Sequence, residues 1–207
     1  MTDRIRLGLG FDAAALQRDL RALEREGWTD HFVTQNYDGD WGVIPLRGTA
    51  GATHPVAMIY SDPTATAFED TPFLARAPAF QEALGAFECP LQSVRLMKLT
   101  PGSRIKEHTD HGLAAEAGAV RLHVPVTTNP GVRFVLNGTR VDMREGECWY
   151  LRLTDPHAVE NGGTSDRVHL VIDAGVNPWL EAQLAGGTTP ASRPAGWRQR
   201  LADWIRP

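Results

Sequence analysis

From Leu91 onward the chain is a series of short extended segments, each closed by a turn signal, and this series limits the folds open to it. Gln92 to Leu99 is apolar and stops at Thr100-Pro101-Gly102, and Ala119 to Thr127 stops at Asn129-Pro130-Gly131. Val132 to Leu136 and Thr139 to Met143 flank Asn137-Gly138, Glu145-Gly146 turns into Cys148 to Leu153, and Arg167 to Asp173 is the last strand expected. Asn-Gly between two apolar runs is a strong hairpin signal, because a type I′ turn needs positive φ at both central residues. Short strands at near-regular spacing build a sandwich or barrel. The count fits a jelly roll, so the expected fold is mainly β with flanking helices.

The helices are expected at the two ends and in the middle. Leu16, Leu20 and Leu23 recur at helical spacing between charged residues, which predicts an amphipathic helix over Phe11 to Arg25, capped by Asp12. Trp28 to Tyr37 is irregular and Asp38-Gly39-Asp40 is a turn; Trp41 to Leu46 and Pro55 to Tyr60 are expected to be short strands. A further helix is expected to start near Phe73, with Thr71-Pro72 as cap and first position and Pro78 dividing it. Ala185 to Pro194 reads as a linker, and Trp197, Leu201, Trp204 and Ile205 as one helical face. The expected organisation is one domain over residues 1–185 with an N-terminal helical segment, then a linker and a C-terminal helix over 186–207 packed on it.

Composition excludes several classes of function. Hydrophobic residues make up 42% of the 207, enough for a sizeable core, and the net charge of −4 gives no basic footprint for nucleic acid or a membrane surface. Met1 to Arg6 lacks the apolar run of a signal peptide, and no stretch approaches the roughly 20 apolar residues of a transmembrane helix. Cys89 and Cys148 make neither a disulfide framework nor a zinc ribbon. The expected setting is cytoplasmic, with both thiols reduced; the pattern sets no oligomeric state.

Against this background stand His108-Thr109-Asp110 and, after several strand segments, Asp155-Pro156-His157. On an extended segment residues i and i+2 point the same way, so His108 and Asp110 can meet one ion. His111 falls on the opposite face and is the weaker ligand. With His157 they make a two-histidine, one-carboxylate set, which leaves open positions on a non-haem iron. A single histidine usually makes one ordinary hydrogen bond, and His-x-Asp alone arises by chance; the ordered set is more specific. We read His108, Asp110 and His157 as metal ligands and as the catalytic centre.

Two strands share a polar stripe. Arg121-Leu122-His123-Val124 and Arg167-Val168-His169-Leu170 each place Arg and His on one face and branched apolar residues on the other. One such strand would be a solvent face; two, beside the ligand segments, point to a polar cavity. A planar guanidinium gives two parallel hydrogen bonds to a carboxylate. Arg167 is therefore expected to hold the distal carboxylate of 2-oxoglutarate, with Arg121 and His123 near the same co-substrate or the substrate. Arg47 is a candidate for a substrate carboxylate. Trp41 and Trp149 are expected in the core, and Glu160 and Asn161 on a surface loop.

The stretch from Arg95 to Asp173 resembles the aspartyl/asparaginyl β-hydroxylase family. The resemblance is carried by Leu99-Thr100-Pro101-Gly102, His108-Thr109-Asp110, Arg121-Leu122-His123-Val124-Pro125, Glu145-Gly146-Glu147, Pro156-His157-Ala158-Val159-Glu160-Asn161 and Arg167-Val168-His169-Leu170-Val171-Ile172-Asp173, with Tyr37-Asp38-Gly39-Asp40-Trp41 and Pro45-Leu46-Arg47 upstream. It is also similar to bacterial free-proline cis-hydroxylases. The resemblance implies a cupin-like double-stranded β-helix, iron(II), 2-oxoglutarate and dioxygen, with hydroxylation of an amino acid or of a peptide or protein residue. The animal aspartyl β-hydroxylases have Gly where Asp110 stands, so their substrate does not carry over. Two other readings are a cupin-like module that binds a metal or small acid without turnover, and a zinc hydrolase, which has no use for Arg167.

Overall fold

The computed structural model describes residues 2–60, 62, 64–190 and the backbone of 193–194. Along the chain the strands are β1 (Arg4–Gly10), β2 (Thr29–Asp30), β3 (Tyr37–Asp38), β4 (Trp41–Thr49), β5 (Phe68–Asp70), β6 (Leu91–Leu99) and β7 (Arg104–His108). They continue with β8 (Ala119–Thr127), β9 (Val132–Leu136), β10 (Thr139–Val141), β11 (Glu147–Leu151), β12 (His157–Asn161), β13 (Arg167–Gly175) and β14 (Arg193–Pro194). The helices are α1 (Ala13–Leu23), α2 (Pro55–Ile59), α3 (Pro78–Gly85) and α4 (Pro178–Gly186). Among the described residues the larger sheet runs β1-β11-β8-β13-β6-β4-β2, with β5 on β4, and the smaller runs β14-β10-β9-β12-β7-β3.

Strand alternation divides the interior into two cores. On β13, Val168, Leu170 and Ile172 join Leu122 and Val124 of β8 and Leu96 of β6 beneath Leu16 and Leu20 of α1, Phe80 of α3 and Leu180 of α4. The opposite faces of those strands look toward the smaller sheet, where Met97, Leu99 and Val171 meet Ile105, Phe134, Leu136 and Val159. β13 is covered on both sides, so its Arg167, His169 and Asp173 are 2%, 1% and 1% exposed. Polar groups so far from water need partners. That requirement makes this inward face the place to look for a site.

Local signals worked where a cap or turn residue fixed them. Asp12 accepts the Ala15 amide at the start of α1, and Asn137 and Gly138 have φ of 51° and 69° between β9 and β10. Pro55 to Tyr60, expected as a strand, is instead α2: Pro55 takes the first helical position and the His54 ring accepts the Val56 amide. The helix expected near Phe73 begins at Pro78, after a 3₁₀ turn over Leu74–Arg76. Thr71 does not cap it, because its hydroxyl donates to Pro45 O (2.7 Å), and the Ala79 amide is capped by Asp19 of α1 instead.

The chain does not open on a helix. Ile5 and Leu7 alternate into the core on β1, which pairs with β11. β12 and α4 were not anticipated, and β14, paired with β10, follows the strand expected to be last. Asn161 is not on a loop. It is fully buried at the end of β12, where its amide donates to Leu99 O and Ser165 O and its carbonyl accepts from Asn129. Trp197, Leu201, Trp204 and Ile205 lie outside the described residues. No helix among the described residues is long and apolar enough to cross a membrane.

Candidate metal centre

His108 ends β7, His157 begins β12, and the two are direct partners across that antiparallel pair. Their rings lie 4.2 Å apart, centroid to centroid, at 52°. Asp110 follows two residues beyond the strand, held by its amide on Leu153 O (2.8 Å), with its Oδ1 3.8 Å from His108 Nε2. One donor atom from each of the three side chains falls within 4.8 Å of the others. His108 Nδ1 lies 2.8 Å from Lys106 O and His157 Nδ1 3.0 Å from Asp155 O. A ring nitrogen facing a carbonyl oxygen must carry the proton, so Nε2 is the lone-pair nitrogen of both rings. Burial, and then His108, push the His157 imidazole below its ordinary value, which keeps it in the neutral form that ligates a metal. Exposed His111 is not part of the cluster.

The inward faces of β6, β8 and β13 supply the charges. Asp173 sits directly opposite Arg121 in the strand register and receives its Nε (2.6 Å) and Nη2 (2.9 Å), together with Nη2 of Arg95 (2.5 Å). The third nitrogen of Arg121, Nη1, donates to Asp110 Oδ2 (2.5 Å). Arg95 and Arg121 are thus neutralised by Asp173 and Asp110. Arg167 is not: its Nη2 lies 2.9 Å from His169 Nδ1, its Nε is buried without a partner, and no carboxylate pairs with it among the described residues. Burial pulls its pKa down to about 9. His123, whose Nδ1 is 3.4 Å from His169 Nδ1, has a buried Nε2 without a partner. Burial, and then Arg167, hold both imidazoles well below their ordinary range.

The three candidate ligands, with Arg95, Arg121, His123 and Arg167, line a cavity of about 200 Å³ that also includes Phe134, Trp41, His31, Phe32 and Tyr60; Asp173 and His169 lie behind that wall. Trp41 and Trp149 are both core residues; Trp41 also forms part of the cavity wall. Arg47 is not brought here. A bulge in β4 sets it opposite Val94, whose side chain belongs to the helix-covered core, and its three donors go to Asp70 (2.5 Å), Phe68 O and Leu91 O. The sequence reading missed Arg95, Asp173 and His31 as site residues. Arg95 and Asp173 occupy inward positions of strands it had placed, so alternation was the signal available.

His31 stacks on Trp41 at 3.7 Å and 3° and is pushed down to about 4, first by burial and then by Arg95. Unfolded, the ring takes a proton near its ordinary 6.5; folded, it resists until about 4. Its contribution to stability is therefore complete above pH 6.5 and is lost as pH falls toward 4. Urea midpoints at pH 7 and pH 5 should differ more in the wild type than in His31→Phe, which keeps the stack without a titrating ring; equal differences would refute this.

Residues 11–175 match the family described as aspartyl/asparaginyl beta-hydroxylase. The chain is 26% identical over 184 residues to the L-proline cis-4-hydroxylase of Rhizobium meliloti, a match covering 88% of this chain and 64% of that protein. It therefore spans less than two-thirds of that relative's length. Among solved structures the fold is similar to the non-heme alpha-ketoglutarate-dependent epimerase SnoN from nogalamycin biosynthesis (TM-score 0.52, 12% identity, 93% and 89% of the two chains). It is also similar to HygX from Streptomyces hygroscopicus, solved with nickel and 2-oxoglutarate bound (TM-score 0.51, 13% identity, 86% and 84%). The shared architecture is the double-stranded β-helix.

Proposed function

The chain belongs to the aspartyl/asparaginyl β-hydroxylase family, and on that premise we propose that it is an iron(II)- and 2-oxoglutarate-dependent dioxygenase hydroxylating an unactivated C–H bond of an amino acid or peptidyl residue. The observation that carries the proposal is Arg167: a guanidinium 2% exposed, paired with no carboxylate among the described residues, on the wall of a cavity that also holds two histidines and an aspartate whose donor atoms lie within 4.8 Å of one another. A buried cation calls for an anion, and a planar fork suits a carboxylate. A zinc hydrolase gives Arg167 no task.

In this reading His108 Nε2, His157 Nε2 and a carboxylate oxygen of Asp110 hold iron(II). The bound metal and its keto acid supply the oxidising chemistry, consuming dioxygen and releasing succinate and CO2. The protein's own residues do the rest. The carbonyls of Lys106 and Asp155 fix both imidazole tautomers. Arg167 orients the distal carboxylate of 2-oxoglutarate, and His123, whose buried Nε2 has no partner among the described residues, lines the same cavity. Phe134, parallel to the His157 ring at 6.1 Å, together with Leu153 and Val159, keeps water from that side of the metal. The relative named as an L-proline hydroxylase supports an amino-acid or peptidyl substrate.

The test is an anaerobic titration with iron(II) and 2-oxoglutarate, followed by air and a panel of free amino acids and short peptides that includes L-proline. A visible charge-transfer band, then succinate and a product heavier by one oxygen atom, are the expected results. A band without succinate would mark a module that binds without turnover, and the absence of both signals would overturn the proposal.

A further inference from the structure

The three ligands are not held in the same way. His108 and His157 are fixed by the ladder that pairs β7 with β12. Asp110 lies past the end of β7, on a segment with no strand partner among the described residues, just before the turn at His111 and Gly112. Its side chain is a quarter exposed. Apart from its amide bond to Leu153 O, the contact that orients the carboxylate is Arg121 Nη1 on Oδ2. Arg121 is in turn gripped at its other two nitrogens by Asp173, 1% exposed, and Asp173 is also held by Arg95, 3% exposed. These three residues stand on β8, β13 and β6, neighbours in the middle of the larger sheet.

We infer that Asp173 and Arg95 are positioning residues for the metal centre, acting through Arg121 to aim the Asp110 carboxylate. The inference rests on the reading of His108, Asp110 and His157 as metal ligands. An arginine held by one carboxylate has no orientational freedom left, because two of its nitrogens define the plane of the guanidinium and fix where the third points. That third nitrogen occupies Oδ2 and leaves Oδ1 turned toward His108 Nε2. The rigid sheet thereby does for a loop-borne ligand what strand pairing does for the two histidines. Arg95 keeps the Asp173 carboxylate in place through Oδ2 and is tied itself to Ile59 O (3.1 Å) at the end of α2. Groups that orient a ligand without touching the metal typically change metal affinity by about 10–100-fold.

The experiment measures manganese(II) binding to the full chain by the EPR signal of the free ion, without 2-oxoglutarate or turnover. Asp173→Asn is expected to raise the manganese dissociation constant by about tenfold or more, and Arg121→Met by at least as much. Because both act on one carboxylate, the double variant should bind no more weakly than Arg121→Met alone. Leu16→Ala, which opens the helix-side core away from the site, should lower the unfolding midpoint yet leave the dissociation constant within about twofold, separating positioning from general destabilisation. Folded Asp173→Asn with wild-type affinity, or losses that multiply in the double variant, would overturn the inference. If Asp173→Asn does not fold, Arg95→Met takes its place, with a weakening of at least about threefold expected and unchanged affinity counting against the relay. His108→Ala is the separate control: manganese binding unaffected by it would sink the metal-centre reading itself rather than the clamp.

Discussion

Asp110→Ala is expected to lower succinate formation by more than about a hundredfold, beyond the range seen when only a supporting group is lost. Two effects combine. The metal would lose the one anionic ligand that the three side chains supply, and the Arg121 guanidinium, now without the oxygen it holds at 2.5 Å, would be left facing a divalent cation across the cavity. Like charges in such surroundings repel far more strongly than in water. The second effect gives the prediction a sign that can be checked. In the wild-type background Arg121→Met should weaken metal binding, but in the Asp110→Ala background it should improve it, because the repulsion goes with the guanidinium. Manganese titrations of the four proteins measure both changes. An Asp110→Ala protein with near wild-type turnover would remove Asp110 from the centre.

Arg167→Met is expected to raise the KM for 2-oxoglutarate by about 30-fold or more, the effect of removing one partner from a buried charge pair, about 2–5 kcal/mol. The same substitution should not destabilise the protein when no keto acid is present. Arg167 is a buried cation whose Nε has no partner among the described residues, so desolvation works against it until an anion arrives. A methionine of similar length removes that cost. Thermal unfolding should therefore show a midpoint for Arg167→Met at or above that of the wild type without 2-oxoglutarate. Added 2-oxoglutarate should raise the wild-type midpoint by mass action and leave the variant unmoved. A variant that is less stable and still responds to the keto acid would show that Arg167 is a structural arginine.

What the sequence disclosed follows the range of the forces involved. Asp12 and Asn137-Gly138 act through their own backbone, and each set its element as expected. Pro55 to Tyr60 is apolar without alternation, and such a run is ambiguous until a cap decides it; here His54 and Pro55 made it helical. Thr71 looked like a cap but is engaged by the carbonyl of Pro45, a contact between residues far apart in the chain. For the candidate site, the convergence of His108, Asp110 and His157 was legible because the residue types are distinctive and the segment leading into Asp110 is extended. Arg47, expected just past a strand ending at Leu46, is instead inside β4, where a bulge after Pro45 turns it to the helix-covered side; the proline within a paired strand was the local sign of that bulge. Arg95 and Asp173 were passed over for the opposite reason. Their inward positions could be counted from strands already assigned, but the register that sets Asp173 against Arg121 depends on pairing across the sheet.

β13 lies between β8 and β6 in the larger sheet yet follows both in the chain. During synthesis, then, the two strands on either side leave the ribosome with their facing edges unpaired, and the gap closes only when the residues from Arg167 onward emerge. Open edges of apolar strands attract other chains, and pairing across so long a separation is slow. The nascent protein is therefore most exposed to aggregation just before its middle strand arrives, and a truncation ahead of Arg167 would leave the molecule in that state. The strand that ends this interval also brings Arg167, His169 and Asp173, so the buried polar layer is completed at the moment the chain becomes safe from its neighbours.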